Sequence, residues 1–225
     1  MDYIFLSKTV LFRGITPEEL QGLFGCLQAQ VRKYPRGAVI YHAGDPVTAL
    51  GMVLSGKVSI ENDDIWGNKS ILDHVFPGQV FAETYACVPG SPLMISAVAA
   101  EPTEVLFLDT SRVLHVCEAS CDFHNKLVRN LLTIASQKNL NLSRRIFHTS
   151  SKSIRGRLLS YLSHQALQQG SREFEIPFNR QQLADYLSVD RSAMSNELSK
   201  MQRDGLLQVD RNHFRLTGID PKDGF

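Results

Sequence analysis

Between about Val31 and Asp109 the apolar residues fall in short runs separated by turn formers. The runs are Ala38-Val39-Ile40-Tyr41, Gly51-Met52-Val53-Leu54, Val58-Ser59-Ile60, Ser70-Ile71-Leu72, Ile95-Ser96-Ala97-Val98 and Val105-Leu106-Phe107-Leu108. Their length and β-branched content predict strands. Breaks at Ala43-Gly44-Asp45-Pro46, Ser55-Gly56, Trp66-Gly67-Asn68 and Phe76-Pro77-Gly78 recur about every ten residues, the rhythm of a β-sandwich or jelly roll. Ahead of them, Thr16-Pro17-Glu18-Glu19-Leu20 predicts a helix start: a cap residue, proline at the first helical position and acids in the first turn.

Near Ser111 the pattern changes, and glycine is absent until Gly156. Val128, Leu132, Ala135, Asn139, Leu142 and Ile146 are spaced alternately four and three apart, a heptad seam over about five turns. A second row, Phe123, Leu127, Leu131 and Ile134, lies beside it. A helix buried in a single-chain core would show such a pattern. So would a helix with one row on its own β-domain and the other on the same helix of a second subunit, where Asn139 would help fix register. Thr149-Ser150-Ser151 is then a capping cluster for an amphipathic helix that runs to about Gln169 and stops at Gly170.

Residues 179–205 divide into two short helices around a three-residue turn. The first, about Arg180 to Leu187, carries Leu183 and Leu187 on one face and small Ala184 where a second helix approaches. After Ser188-Val189-Asp190, with Asp190 as cap, the second runs from about Arg191 to Arg203. It buries Met194, Leu198 and Met201 and exposes Arg191, Ser192, Ser195, Asn196 and Ser199. A face of short hydrogen-bonding groups suits entry into a major groove and readout of base edges. Beyond Gly205, Leu206–Val209 and His213–Leu216 predict a hairpin around Asp210-Arg211-Asn212, a wing that presents Arg211 and Arg215 to phosphate. Arg180 and Gln181 are placed to anchor phosphate at the start of the motif. The four elements in this order predict a winged helix-turn-helix, so double-stranded DNA is the expected partner.

Composition adds an asymmetry. The 225 residues carry a formal net charge of +1. Residues 1–115 nevertheless hold 8 basic and 12 acidic side chains, residues 116–147 hold 5 and 2, and residues 148–217 hold 10 and 7. Only the C-terminal half suits a polyanion. No run approaches the roughly 18–20 apolar residues of a membrane span, and Met1–Leu6 shows neither basic leader nor cleavage site. The expected location is therefore cytoplasmic, with no membrane partner. Four cysteines, Cys26, Cys87, Cys117 and Cys121, are too few and scattered for a disulfide framework.

Taken together, Tyr41-His42-Ala43-Gly44-Asp45-Pro46, Leu54-Ser55-Gly56-Lys57-Val58, Phe76-Pro77-Gly78-Gln79-Val80-Phe81-Ala82-Glu83, the central helix and Phe178-Asn179-Arg180-Gln181-Gln182-Leu183-Ala184 resemble the Crp/Fnr superfamily, over essentially the whole chain. The resemblance implies an α+β chain. It would comprise an effector-sensing jelly roll of the cyclic-nucleotide-binding type at 1–110, a linker and dimerisation helix at 111–148, and a winged helix-turn-helix at 149–225. It also implies a homodimer on a palindromic operator, with RNA polymerase as a further partner. In relatives that bind cyclic AMP, a glutamate after the Pro-Gly turn holds the ribose and an arginine about ten residues on pairs with the phosphate. Glu83 matches the first, within a pocket expected from Gly78, Phe81, Ala82, Glu83, Thr84, Ile95 and Ser96. Residues 90–98 contain no basic residue, and Ala82 replaces the usual glycine. Losing the charge-assisted bond to phosphate costs roughly tenfold to a hundredfold in affinity, which disfavours cyclic AMP and leaves the effector unassigned.

Other cofactors of the superfamily fit less well. An iron-sulfur sensor needs clustered N-terminal cysteines, whereas Cys26 stands alone there and Cys117 with Cys121 supplies two thiolates. Haem would draw an axial ligand from His42, His74, His115 or His124, yet no Cys-x-x-Cys-His motif occurs. The rival classes are a cupin-like jelly-roll metal enzyme, for which the chain lacks His-x-His, and a dimeric interaction module that does not touch DNA. Hydrolase, zincin, Walker and Rossmann motifs are likewise missing, so the expected protein is not an enzyme and no metal site is assigned. Many relatives carry arginine where Asn196 stands and glutamate where Ser192 stands. Asparagine prefers adenine, so the operator is expected to depart from the common half-site.

Overall fold

The computed structural model describes residues 1–63, 66, 69–114 and 122–217; for Asp63 and Lys69 only the backbone is described. The chain forms two compact units, Met1–Gln137 and Lys138–Phe225.

The N-terminal unit opens with α1 (Tyr3–Ser7) and α2 (Pro17–Leu27). The predicted start of α2 is present as a reciprocal cap: Thr16 Oγ1 accepts from Glu19 N–H at 3.2 Å, while the Glu19 carboxylate accepts from Thr16 N–H at 2.8 Å. Eight strands follow, β1 (Gln30–Tyr34), β2 (Val39–Tyr41), β3 (Ala49–Ser55), β4 (Val58–Asp63), β5 (Lys69–Val75), β6 (Val80–Phe81), β7 (Ser96–Ala99) and β8 (Thr103–Asp109). Helix α3 (Glu83–Ala86) lies between β6 and β7, and α4 (Thr110–Leu114) follows β8. The strands make two antiparallel sheets, ordered β1-β8-β3-β6 and β2-β7-β4-β5. Val53, Phe81, Val105 and Phe107 of the first sheet and Val58, Val75 and Ala97 of the second form one buried cluster, the interior of a sandwich. Between β3 and β4 the chain reverses at Gly56, whose φ of +80° suits glycine; a Cβ there would collide with the Pro102 carbonyl.

Helix α5 (Asp122–Thr149) is 28 residues long, and the division between the units falls within it. Leu127 and Leu131 are buried in a second core with Leu6, Leu11, Leu20, Leu23 and Leu106, with Phe123 and Ile134 packed at its edge. The Asn130 amide donates to the Leu11 and Arg13 carbonyls at 3.0 and 2.9 Å. This row therefore lies against its own β-unit. The other row faces outward: Leu132, Leu142 and Ile146 are 66, 62 and 68% exposed. Ala135 and Asn139 are also exposed, and Val128 is half-buried.

The C-terminal unit contains α6 (Ile154–Gln169), β9 (Glu173–Glu175), α7 (Arg180–Leu187), α8 (Arg191–Arg203), β10 (Leu207–Asp210) and β11 (His213–Leu216). The expected cap cluster is corrected here. Helix α5 continues through Thr149, and Ser153, not Thr149-Ser150-Ser151, caps α6 by accepting from Gly156 N–H at 3.0 Å. Gly170 ends α6 at φ +61°, as expected. The wing holds one strand more than the hairpin foreseen: β9 pairs with β11, giving the antiparallel order β10-β11-β9. Leu158, Tyr161 and Leu162 of α6 pack with Leu183 and Leu187 of α7, Met194 and Leu198 of α8, and Phe174 and Phe214 of the wing.

Candidate nucleic-acid interface

Two caps fix the helix pair. Asn179 and Gln182 form a reciprocal cap on α7, both bonds 2.9 Å, and Asp190 accepts from Ala193 N–H at 2.8 Å to start α8. Between them Ser188 takes a left-handed conformation, φ +53°. Two arginines hold the carbonyls at the C-terminal end of α7 and of its cap residue, Ser188. Arg145 of α5 donates to the Asp185 and Tyr186 carbonyls at 3.0 and 3.1 Å. Arg157 of α6 donates to the Leu187 and Ser188 carbonyls at 3.0 and 2.9 Å, and to Ser151 at 2.8 Å. Arg155 joins α6 to α8 through Glu197 at 2.6 Å and Asp204, just past the helix end, at 2.7 Å. None of these arginines was foreseen, because the bonds from Arg145 to Asp185 and Tyr186 and from Arg157 to Leu187 and Ser188 span 30 or more residues.

With Met194, Leu198 and Met201 buried beneath α8, Arg191, Ser192, Asn196 and Ser199 are exposed and Ser195 is half-buried. Lys200 and Arg203 extend the polar face with positive charge at the helix end. The Ser192 hydroxyl donates to Asp190 at 2.5 Å, so it offers a base edge its lone pairs before its proton. That bond, with the Ala193 and neighbouring backbone N–H groups, holds the Asp190 carboxyl below the usual carboxylate range. Gln181 donates to Asp185 at 2.8 Å. Arg180 is half-buried with its guanidinium 5.4 Å from the centre of the Phe214 ring. Arg211 is exposed at the wing tip with φ +52°, and Arg215 is exposed on β11.

The residues expected to form an effector pocket are only partly brought together. Phe81, Ala82, Ile95 and Ser96 line a cavity of about 40 Å³ with Tyr41, Ile60, Tyr85, Leu93 and Ala97, and no charged residue lines it. Glu83 is buried beside it. Gly78 lies apart, in a turn at φ +82° packed near Thr9 and Phe5, and Thr84 is exposed on α3. Ser96 Oγ accepts from Ala43 N–H at 3.0 Å. Tyr41, its phenol pushed up to about 12 by burial, donates to the Ala49 carbonyl at 2.7 Å. Ala82 has φ +60°, a left-handed conformation that glycine adopts more readily than alanine.

Among the cofactor candidates, His124 Nε2 lies 2.9 and 3.1 Å from the Arg112 and Val113 carbonyls, whereas His42 is exposed and His74 half-buried. Cys26 is exposed and Cys87 half-buried, both free, with the Cys87 thiol pushed up by burial and by the Glu83 charge. His115, Cys117 and Cys121 lie outside the described residues. Among the described residues no three His, Cys, Asp or Glu side chains are grouped to hold a metal, and no helix is long and apolar enough to cross a membrane.

A β-sandwich followed by a long helix and a winged helix-turn-helix defines a DNA-binding transcription regulator with an attached sensor-type domain. Residues 31–120 match the cyclic nucleotide-binding domain model and residues 156–222 the Crp-like helix-turn-helix domain model. The chain is similar to the cyclic AMP receptor protein of Thermus thermophilus, 36% identical over 103 residues, a match that spans 46% of each chain and so about half of that relative's length. It is also similar to the CRP-like cAMP-activated global transcriptional regulator of Mycobacterium tuberculosis, 23% identical over 93% of this chain and 92% of that one. The crystal structure of Thermus thermophilus catabolite activator protein shares the fold, with TM-score 0.51 and 25% identity over 92% of this chain and 93% of that one. OCPA-complexed CprK shares it with TM-score 0.58 and 18% identity over 88 and 91%. The chain belongs to the Crp/Fnr superfamily of transcription regulators.

Proposed function

We propose that the chain binds a palindromic DNA operator as a homodimer, pairing through Val128, Leu132, Ala135, Asn139, Leu142 and Ile146 and under the control of a small effector other than cyclic AMP. The observation that carries the reading is the α8 face: a capped helix with Arg191, Ser192 and Asn196 exposed over a packed underside. Arg191, Ser192, Ser195 and Asn196 meet base edges, while Arg180, Gln181 and Arg211 hold phosphate. The outward row on α5 supports pairing, because three large aliphatic side chains on one helix face are each more than 60% exposed. The functional division follows 1–110, 111–148 and 149–225; the protein acts in the cytoplasm, meets RNA polymerase on the operator, and performs no catalysis.

Against cyclic AMP, a cavity of about 40 Å³ without a cation is far below the roughly 300 Å³ at which ligand pockets begin. The two relatives named for cyclic AMP do not carry that ligand over to this chain. Gel-shift titration with operator selected from random DNA tests the reading. Affinity is expected to fall steeply with rising salt as phosphate-bound counterions are displaced, and absence of binding at low salt would refute it.

A further inference from the structure

The C-terminal unit holds a cavity of about 310 Å³, lined by residues of α5, α6, α7 and the Pro177-Phe178 segment. His148 and Tyr161 are each only 2% exposed, yet His148 Nε2, His164 Nε2 and the Tyr161 hydroxyl have no hydrogen-bond partner among the described residues. Buried polar atoms are normally satisfied, and three beside one cavity mark where an occupant completes them. The imidazoles are fixed in place: His148 Nδ1 lies 3.0 Å from the Tyr186 hydroxyl, and the His148 and His164 ring centres are 5.1 Å apart. Tyr161 stands edge-on to His148 at 5.5 Å and stacks on Phe178 at 6.0 Å.

The lining selects the occupant. It contains no Asp or Glu, and its one permanent charge is Arg144. Burial, then His164 and Arg144, hold the His148 imidazole below the usual histidine range, so this is an environment that resists a further cation. Arg144, Tyr161, His148 and His164 all have N–H or O–H groups to offer, and flat rings wall the space. Two imidazoles without a third ligand make a poor metal site.

We propose that this cavity binds a small planar aromatic carboxylate, its carboxylate received by Arg144, the two imidazoles and the Tyr161 hydroxyl and its ring laid against Phe178 and Tyr186. The site is separate from the cavity beside Ala82 and does not depend on the DNA-binding reading. Because His148, Tyr161 and Tyr186 come from α5, α6 and α7, an occupant braces the first helix of the pair against the two helices behind it.

The test is a benzoate titration of the full chain, followed through the imidazole C–H resonances of its seven histidines at constant ionic strength. Saturable shifts of His148 and His164, with the other histidines still, are expected, and benzamide should have no effect. Arg144→Gln, at a partly exposed position, and Tyr161→Phe, which deletes only the hydroxyl, should each leave the ligand-free spectrum intact. Arg144→Gln should weaken benzoate roughly tenfold or more, and Tyr161→Phe by less. No saturable shift, an equal response to benzamide or chloride, or a response to zinc without one to benzoate would each overturn the proposal.

Discussion

On α8, Arg191, Ser192, Asn196 and Ser199 stand exposed within thirteen consecutive residues, whereas the cavity beside Ala82 draws its walls from β2, β4, β6, α3, β7 and the segment before it and encloses only about 40 Å³. The first surface is finished in a single unliganded chain. Its polarity comes from helical periodicity and its position from two caps and three arginines. The second is a product of sheet packing, and its volume is set by where Phe81 lies; a Cβ on Gly51 would collide with that ring. On the proposed reading, duplex DNA meets a face already formed by one helix and its supports, whereas the space beside Ala82 depends on how several segments pack around Phe81.

The largest effect that would separate the two sites comes from α5. Leu132→Asp with Leu142→Asp should give monomers by light scattering and lower operator affinity to the non-specific level, roughly 10³-fold or more, while leaving the fold of each unit intact. A double variant that stays dimeric would remove this row from the interface. Next, Asn196→Arg should move one operator position toward guanine, with discrimination changed by about 1–3 kcal/mol. Recovery of the same motif by both proteins from random DNA would show that Asn196 does not face a base.

A smaller change is expected at the other site. Ala82→Gly relieves a left-handed alanine and should stabilise the N-terminal unit by up to about 1 kcal/mol in urea unfolding, while widening the cavity. An unaltered or lower midpoint would mean that Ala82 is not strained. The smallest effect concerns pH. Since His148 binds its proton less readily folded than unfolded, the unfolded chain takes up protons first as pH falls below about 6.5. Stability of the C-terminal unit should therefore fall between pH 7 and pH 5, and His148→Gln should flatten that slope in thermal melts.

What was legible in the sequence follows the same division. The starts of α2 and α8 were readable because a cap residue, Thr16 or Asp190, stands just ahead of the first turn, that of α7 from its apolar face, and the two rows on α5 because their spacing is periodic. Strand β9 was not, since Glu173-Phe174-Glu175 is too short to signal a strand without β11 beside it. The start of α6 slipped to Ser153 because several hydroxyl residues compete there and only the local path of the chain chooses among them. Gly78 and Thr84 were grouped with Phe81 and Ala82 by adjacency, yet a turn at one and an outward helical face at the other carry them away. The cluster of His148, Tyr161 and His164 has no sequence signature at all, because Tyr186, which fixes His148, comes from another helix 38 residues on.

The grip of Arg145 and Arg157 on the carbonyls of residues 185–188 has an outcome for how this protein could change its targets. Because the elbow between α7 and α8 is clamped through main-chain oxygens from behind, the outward side chains of α8, apart from Ser192 with its bond to the Asp190 cap, take no part in keeping it bent. Those side chains form an interchangeable cassette on a fixed frame, free to be rewritten for a new operator one position at a time without rebuilding the support.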